Sequence, residues 1–160
     1  MKFKYEIIER RNEKLEEILK RESRTYNSYD ISNYCIYVIV KLNEEIMGFS
    51  KLLNIIPKEK IEKKILEKLP NEDFAYTQML FVEPKYRNKG LGKELLNKTI
   101  DNFKTNKNFT SNYILRTIRE TNGLFQSGYY DKLQDLIKIG RTSKIVNNEE
   151  YYYVHYLQKK

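Results

Sequence analysis

Met79-Leu80-Phe81-Val82-Glu83-Pro84-Lys85-Tyr86-Arg87-Asn88-Lys89-Gly90-Leu91-Gly92-Lys93 is the stretch that decides how this chain folds. It runs from an apolar segment, Met79 to Val82, through a glycine-bearing turn. Beyond the turn Leu91, Leu95, Leu96, Ile100 and Phe103 share one helical face. The spacing predicts strand, turn and helix, and the first amides of such a helix lack an intrahelical acceptor and can surround an anion. Lys85, Arg87, Lys89 and Lys93 crowd the positive end of that helix, opposed by Glu94. Without an anion each cation there costs roughly 0.3–1 kcal/mol against the helix dipole, and a phosphorylated ligand reverses the sign.

Two familiar phosphate loops do not fit. A Walker A loop needs glycine where Arg87 stands and Ser or Thr where Glu94 stands. A dinucleotide fingerprint needs a third glycine at the position of Leu95. What remains is Arg-x-x-Gly-x-Gly after a strand ending Val82-Glu83-Pro84, which resembles the coenzyme A pyrophosphate loop of the GNAT N-acetyltransferase superfamily. The bland alternative is a tight strand-to-helix turn carrying exposed cations. The resemblance is specific over Phe74 to Leu133, with Ile139-Gly140-Arg141 as an extension. The first seventy residues match it in element order only.

A chain of 160 residues, 40% hydrophobic and 32% charged, suits one globular domain over 1–160. No apolar run is long enough to span a bilayer, and the stretch Met1 to Glu6 has no signal-peptide core. The lone Cys35 opens the apolar run Cys35 to Val40 and reads as a buried thiol in a reducing, cytoplasmic protein. A net charge of +8 would attract nucleic acid, but it equally suits a polyphosphate ligand or a solvated lysine-rich surface, and nucleic acid is not the favoured partner. No metal is expected. Monomer and homodimer are both open.

The expected elements are a strand over Phe3–Ile8, a helix over Glu9–Arg24 and strands over Ile36–Lys41 and Ile46–Leu53 about a hairpin at Asn43-Glu44-Glu45. A lysine-bearing helix follows at Lys58–Leu69, then the central strand Phe74–Val82 and the helix from Leu91 to about Lys104. A strand at Tyr113–Ile118, a helical segment from about Asn122 to Leu133 and two strands, Leu136–Lys144 and Tyr151–Leu157, complete the chain. The order matches the α/β GNAT fold, a mixed, curved sheet with flanking helices. The short helix, a Lys-rich insertion at about 57–70, departs from that pattern. Its Ile61, Ile65, Leu66 and Leu69 form one apolar stripe that should dock with the lysines outward.

The resemblance implies acetyl transfer from acetyl-CoA to a primary amine, on a small molecule or a protein, directly within a ternary complex. It assigns the pyrophosphate to the backbone from Arg87 through Asn88, Lys89, Gly90 and Leu91 to Gly92, with Lys93 adding charge. The pantetheine would lie along Leu80, Phe81 and Val82, with an amide near Leu80 as oxyanion donor. Asn122 belongs to the same cofactor-binding set. A phenol can protonate the departing thiolate. The family's Tyr-x-Lys-Leu pattern matches Tyr130-Asp131-Lys132-Leu133 and so selects Tyr130, whereas counting from Asn122 selects Tyr129. Both could instead be packing residues in a chain with 14 tyrosines.

The acceptor pocket would draw on Tyr26, Tyr29, Asp30 and Tyr34, on Tyr76 of the central strand, and on Tyr151, Tyr152 and Tyr153. Glu72, Asp73 and Glu83 flank the central strand, where each could act through water but reads as a solvated carboxylate. The sole histidine, His155, alternates with Tyr152, Val154 and Tyr156 and reads as a packed or exposed strand histidine, so no general base is named. Two other functions share the fold. One is the acetylation of an RNA-linked amine, which salt would weaken steeply. The other is a non-catalytic acyl-CoA-binding module, which would release no thiol.

Overall fold

The computed structural model describes residues 2–22 and 33–160. Its strands, β1 (Lys4–Ile8), β2 (Cys35–Leu42), β3 (Glu45–Leu53), β4 (Ala75–Val82), β5 (Tyr113–Arg119), β6 (Leu136–Val146) and β7 (Glu149–Lys159), follow the order β1-β2-β3-β4-β5-β7-β6. The chain divides into two compact units, Met1–Asn54 with Thr77–Thr110 and Ile55–Tyr76 with Ser111–Lys160. The strand β4 (Ala75–Val82) contributes to both.

In the first unit β1 (Lys4–Ile8) pairs antiparallel with β2 (Cys35–Leu42), which pairs antiparallel with β3 (Glu45–Leu53). The β2–β3 turn is two residues long because Asn43 and Glu44 both adopt positive φ, 51° and 66°, a conformation that matches strand twist. Helix α1 (Glu13–Arg21) begins later than the expected Glu9, because the Asn12 side chain accepts the Leu15 N–H at 2.8 Å and fixes the cap there. It buries Leu15, Ile18 and Leu19 against Tyr37, Ile39, Phe49 and Phe81. Helix α3 (Leu91–Thr105) packs on β2 and β3 and buries Leu91, Leu95, Leu96, Thr99 and Phe103. Gly48 of β3 has no room for a side chain, since a Cβ would stand 2.6 Å from the Phe81 carbonyl oxygen.

The second unit holds β5 (Tyr113–Arg119), β6 (Leu136–Val146) and β7 (Glu149–Lys159). The start of β4 pairs parallel with β5 at two positions, Ala75↔Ile114 and Tyr76↔Leu115, while β7 runs antiparallel to β5 and β6. Strand alternation gives this sheet two distinct faces. One carries Leu115 and Leu157, which pack with Ile56, Ile61, Ile65 and Phe74. The other carries Arg116, Tyr156 and Gln158.

Two expected helices are corrected. The insertion is not one helix from Lys58 to Leu69 but a 3-10 turn over Lys58–Lys60 and a one-turn α2 (Lys63–Leu66), with Ile61 extended between them. Neither piece has a side-chain cap, and a single turn has too few bonds to offset the cost of nucleation. Docking holds the segment instead. Ile61 and Ile65 are buried, Leu66 and Leu69 pack against the same cluster, and Lys60, Lys63, Lys64 and Lys68 are exposed.

The segment from Asn122 to Leu133 also breaks, into α4 (Gly123–Gln126) and a 3-10 turn over Tyr130–Lys132. The Gly128 N–H reaches the Phe125 carbonyl at 3.0 Å and the Tyr129 N–H reaches that of Leu124 at 3.1 Å. With Gly128 at φ 76°, this is a Schellman stop, and glycine is the residue that takes that conformation without strain.

Candidate active site

The turn between β4 and α3 is braced by hydrogen bonds and an ion pair. Pro84–Tyr86 forms a 3-10 turn after Glu83, whose N–H donates to the Met47 carbonyl and whose carboxylate pairs with Arg21. Arg87 Nε donates to the Val82 carbonyl at 2.8 Å, so this side chain braces the turn. Asn88 and Gly90 are left-handed, at φ 61° and 81°. Gly90 caps α3 without a side chain, and the first helical bond runs from the Glu94 N–H to its carbonyl at 3.0 Å.

Gly92 stands apart from Gly90. Its φ is not positive, and a Cβ there would meet Leu80 Cδ2 and Val82 Cγ2 at 3.9 Å, which is ordinary contact. Neither the backbone conformation nor the packing demands glycine at this position. Phe81 is buried, Leu80 and Val82 are half-buried, and Lys89 and Lys93 are exposed.

In the second unit, Tyr130 is 3% exposed and its ring stacks on Tyr156 at 5.9 Å between centroids, with Tyr129 edge-on at 5.3 Å. Tyr129 is half-buried. The Arg116 guanidinium carbon lies 5.0 Å from the centre of the Tyr130 ring. Burial pushes the Tyr130 phenol above its usual range, and Arg116 acts in the opposite direction. Asn122 caps α4, its Oδ1 accepting from the Leu124 N–H at 2.8 Å and more weakly from that of Phe125.

The other candidates fall out variously. Tyr26, Tyr29 and Asp30 lie outside the described residues. Tyr76 is half-buried; burial raises its phenol and a hydrogen bond from the Thr117 side chain opposes this. His155 is held on both ring nitrogens, Nδ1 to Thr117 Oγ1 at 3.0 Å and Nε2 to Thr142 Oγ1 at 2.7 Å. Burial pulls its pKa down to about 4, so it is a neutral, packed histidine at pH 7. Tyr151 and Tyr152 are covered by Arg119 and Arg141, with guanidinium carbons 3.7 and 3.8 Å from the ring centres. A cleft of about 450 Å³ in the first unit, lined by Lys14, Arg21, Glu45 and Glu83 among others, includes none of the expected site residues.

Arg116 is the residue that sequence reading passed over. A charged side chain inside Tyr113-Ile114-Leu115-Arg116-Thr117-Ile118 was the available signal, since a strand this apolar buries both faces. No group of three or more His, Cys, Asp or Glu among the described residues is arranged to hold a metal ion. No described helix is long and apolar enough to cross a membrane.

Residues 4–129 match the Acetyltransferase (GNAT) family, and the chain belongs to that family of acetyl-transferring enzymes. No curated protein matches the sequence at a significant level. Among solved structures it resembles Arabidopsis thaliana NAA60 in complex with acetyl-CoA, with a TM-score of 0.69 and 14% identity over 99% of this chain and 98% of that one. Escherichia coli ElaA gives a TM-score of 0.65 at 9% identity, over 99% of this chain and 100% of its own. The ribosomal-protein-S18-alanine N-acetyltransferase of Escherichia coli gives 0.63 at 12%, over 98% and 94%. At such identities the shared feature is the fold.

Proposed function

We propose that the protein transfers the acetyl group of acetyl-CoA directly to a primary amine. The observation that carries this is Gly92, a glycine that no steric or conformational need explains, in the first turn of a helix that begins among cations. A ligand that approaches the backbone closely accounts for it. The pyrophosphate lies on the amides from Arg87 to Gly92, and Lys89 and Lys93 add charge. The pantetheine lies along the backbone of Leu80, Phe81 and Val82. The two-position pairing of β4 with β5 supports that arrangement, because it ends at Tyr76.

In the transfer step the amine lone pair forms the new C–N bond, and the carbonyl oxygen gains charge that the Leu80 amide stabilises by roughly 3–4 kcal/mol. The C–S bond then breaks with its electron pair on sulfur, and Tyr130 gives that sulfur its phenolic proton. The proton shed by the acylated nitrogen restores the phenol, so the reaction closes on an amide and free coenzyme A. The amine is the only nucleophile, no covalent enzyme intermediate is invoked, and Cys35, which packs beside the α1 core, takes no part.

Calorimetric binding of coenzyme A tests the loop. Gly92→Asp puts bulk and negative charge against the pyrophosphate, and affinity should fall about 10–100-fold, the equivalent of one lost charged hydrogen bond. Gly92→Ala should fold as well as wild type. A folded Gly92→Asp protein that binds coenzyme A normally would remove the reading.

A further inference from the structure

The second unit buries a cation without an anion. Arg116 is 1% exposed and has no ion-pair partner among the described residues. Its Nη1 donates to Gln158 Oε1 at 3.0 Å, while Nε and Nη2, both buried, have no hydrogen-bond partner. The Tyr130 hydroxyl is buried and reaches no acceptor or donor at full hydrogen-bond geometry, yet it lies close enough to the Arg116 guanidinium for the two to act on each other as a loose hydrogen-bonding pair. The ionisable groups acting most strongly on the guanidinium are the phenols of Tyr130, Tyr129 and Tyr156. Burial pushes those of Tyr130 and Tyr156 above their usual range, so neither supplies an anion at pH 7. Asp131 and Glu120 enter as charges acting on Tyr156.

Burying an uncompensated charge is costly, and one bond to Gln158 and a ring contact do not replace an anion, so an apolar side chain of similar length would stabilise the fold as well. Orphaned buried donors need an account. The reaction provides one. When a phenol protonates a thiolate it becomes a phenolate, and an anion formed in this setting without a cation would face a steep desolvation cost.

We propose that Arg116 is a positioning residue for proton transfer, a fixed guanidinium on the Tyr130 ring that stabilises the phenolate formed as Tyr130 protonates the departing thiolate. The atoms balance: the O–H bond of Tyr130 breaks, an S–H bond forms, and the phenolate negative charge rests beside Arg116 until the acylated nitrogen returns a proton. On balance burial raises the Tyr130 phenol, and Arg116 is the group that opposes the rise. Gln158 fixes the guanidinium from β7, so the cation is held in place before the reaction begins. This inference rests on the assignment of Tyr130 as the acid.

A double-mutant cycle tests it, with turnover, acetyl-CoA affinity and melting temperature measured on each protein. Arg116→Met should lower kcat about 10-fold, a share of the 10²–10⁴ that a positioned acid contributes. Acetyl-CoA affinity should hold. The Tm should stay at or above wild type, because relief of the lone charge offsets the lost bond to Gln158. In a Tyr130→Phe background Arg116→Met should have no further effect on kcat, since groups acting as a unit are not additive. Gln158→Leu, a milder change, should show a smaller loss that also vanishes there.

An Arg116→Met protein with wild-type kcat overturns the proposal. So does a loss of equal size in both backgrounds, or a Tm fall with unchanged chemistry in Gln158→Leu, because each marks a structural role. If Arg116→Met does not fold, the Gln158→Leu cycle decides alone, and a loss independent of Tyr130 sinks the idea. If Tyr130→Phe itself turns over normally, the acid assignment fails and the proposal with it. A slow Tyr130→Phe beside a normal Arg116→Met removes Arg116 only.

Discussion

Gly90 and Gly128 hold nearly the same backbone conformation, φ 81° and 76°, and do opposite things with it. Gly90 opens a helix. It caps α3 with no side chain and leaves the first amides facing outward, so what that turn offers a ligand is backbone. Gly128 closes a helix. Its N–H and that of Tyr129 satisfy the last carbonyls of α4, and the chain leaves in a direction that buries Tyr130. What that turn offers is a side chain. The first kind of site is written in consecutive residues. The second depends on what strand register brings to meet it, here Arg116 from β5 and Tyr156 from β7.

The sharpest way to break this contrast is Tyr130→Phe, which keeps the ring and its stacking but removes the proton. Turnover should fall about 10²–10⁴-fold, with acetyl-CoA affinity almost unchanged. That is the reverse of the pattern expected at Gly92, where binding falls and the fold survives. Tyr129→Phe should match wild type within a few-fold. If the two results exchange places, the acid is Tyr129, and if both variants turn over normally the proton comes from elsewhere.

That comparison also explains what could be read in advance. The strand, turn and α3 helix were legible because apolar spacing, Pro84 and the glycines all lie within fifteen residues and act locally. The order of strands and helices along the chain and the docking of Ile61 and Ile65 were legible from periodicity. The break at Gly128 was written there too, but as a C-terminal stop rather than as a weakness within a longer helix. Arg116 was legible only as a charge inside an apolar strand, not in its role. Nothing near position 116 announces that Tyr130 and Gln158 will close over it, because that contact is made by the pairing of β5 with β7 and by the 3-10 turn that carries Tyr130. Gly48 was hidden for the same reason, since only the approach of the Phe81 carbonyl shows why a side chain cannot stand there.

A smaller effect sharpens the picture of the opposite sheet face. His155 is neutral in the fold, its pKa pulled to about 4 chiefly by burial, with Lys144 and Lys64 adding to the depression and Glu62 opposing it. An unfolded histidine titrates near 6.5. Above that pH neither state binds the proton and the site is at full stability. Between about 6.5 and 4 the unfolded chain gains a proton that the fold refuses, so stability declines as pH falls. Discounting for screening by the nearby charges, the loss should be about 1–2 kcal/mol. Urea midpoints for wild type and His155→Gln at pH 7 and pH 4.5 measure it. The variant should show the smaller drop between the two, and an equal drop would mean that His155 does not drive the acid response.

The smallest effect belongs to the insertion. Replacing Lys60, Lys63, Lys64 and Lys68 with Gln touches exposed side chains, while Ile61 and Ile65 keep the segment docked. Stability at pH 7 should move by no more than about 0.5 kcal/mol, the usual scale for surface changes. Coenzyme A affinity should not move at all, because the loop proposed to hold it carries its own cations. One shift is expected, and its sign is fixed. Lys64 helps to depress His155, so its loss lets that pKa rise and makes the acid-induced decline slightly shallower. Turnover and acceptor KM should match wild type at low and at high salt. A higher acceptor KM, together with a weaker salt penalty than wild type shows, would mean that these lysines recruit an acidic acceptor through long-range charge. The insertion would then be part of the acceptor surface, not only a cover for the Ile65 cluster. Lower coenzyme A affinity would instead tie the lysines to the donor, and the division of labour between the two glycine turns would need to be redrawn.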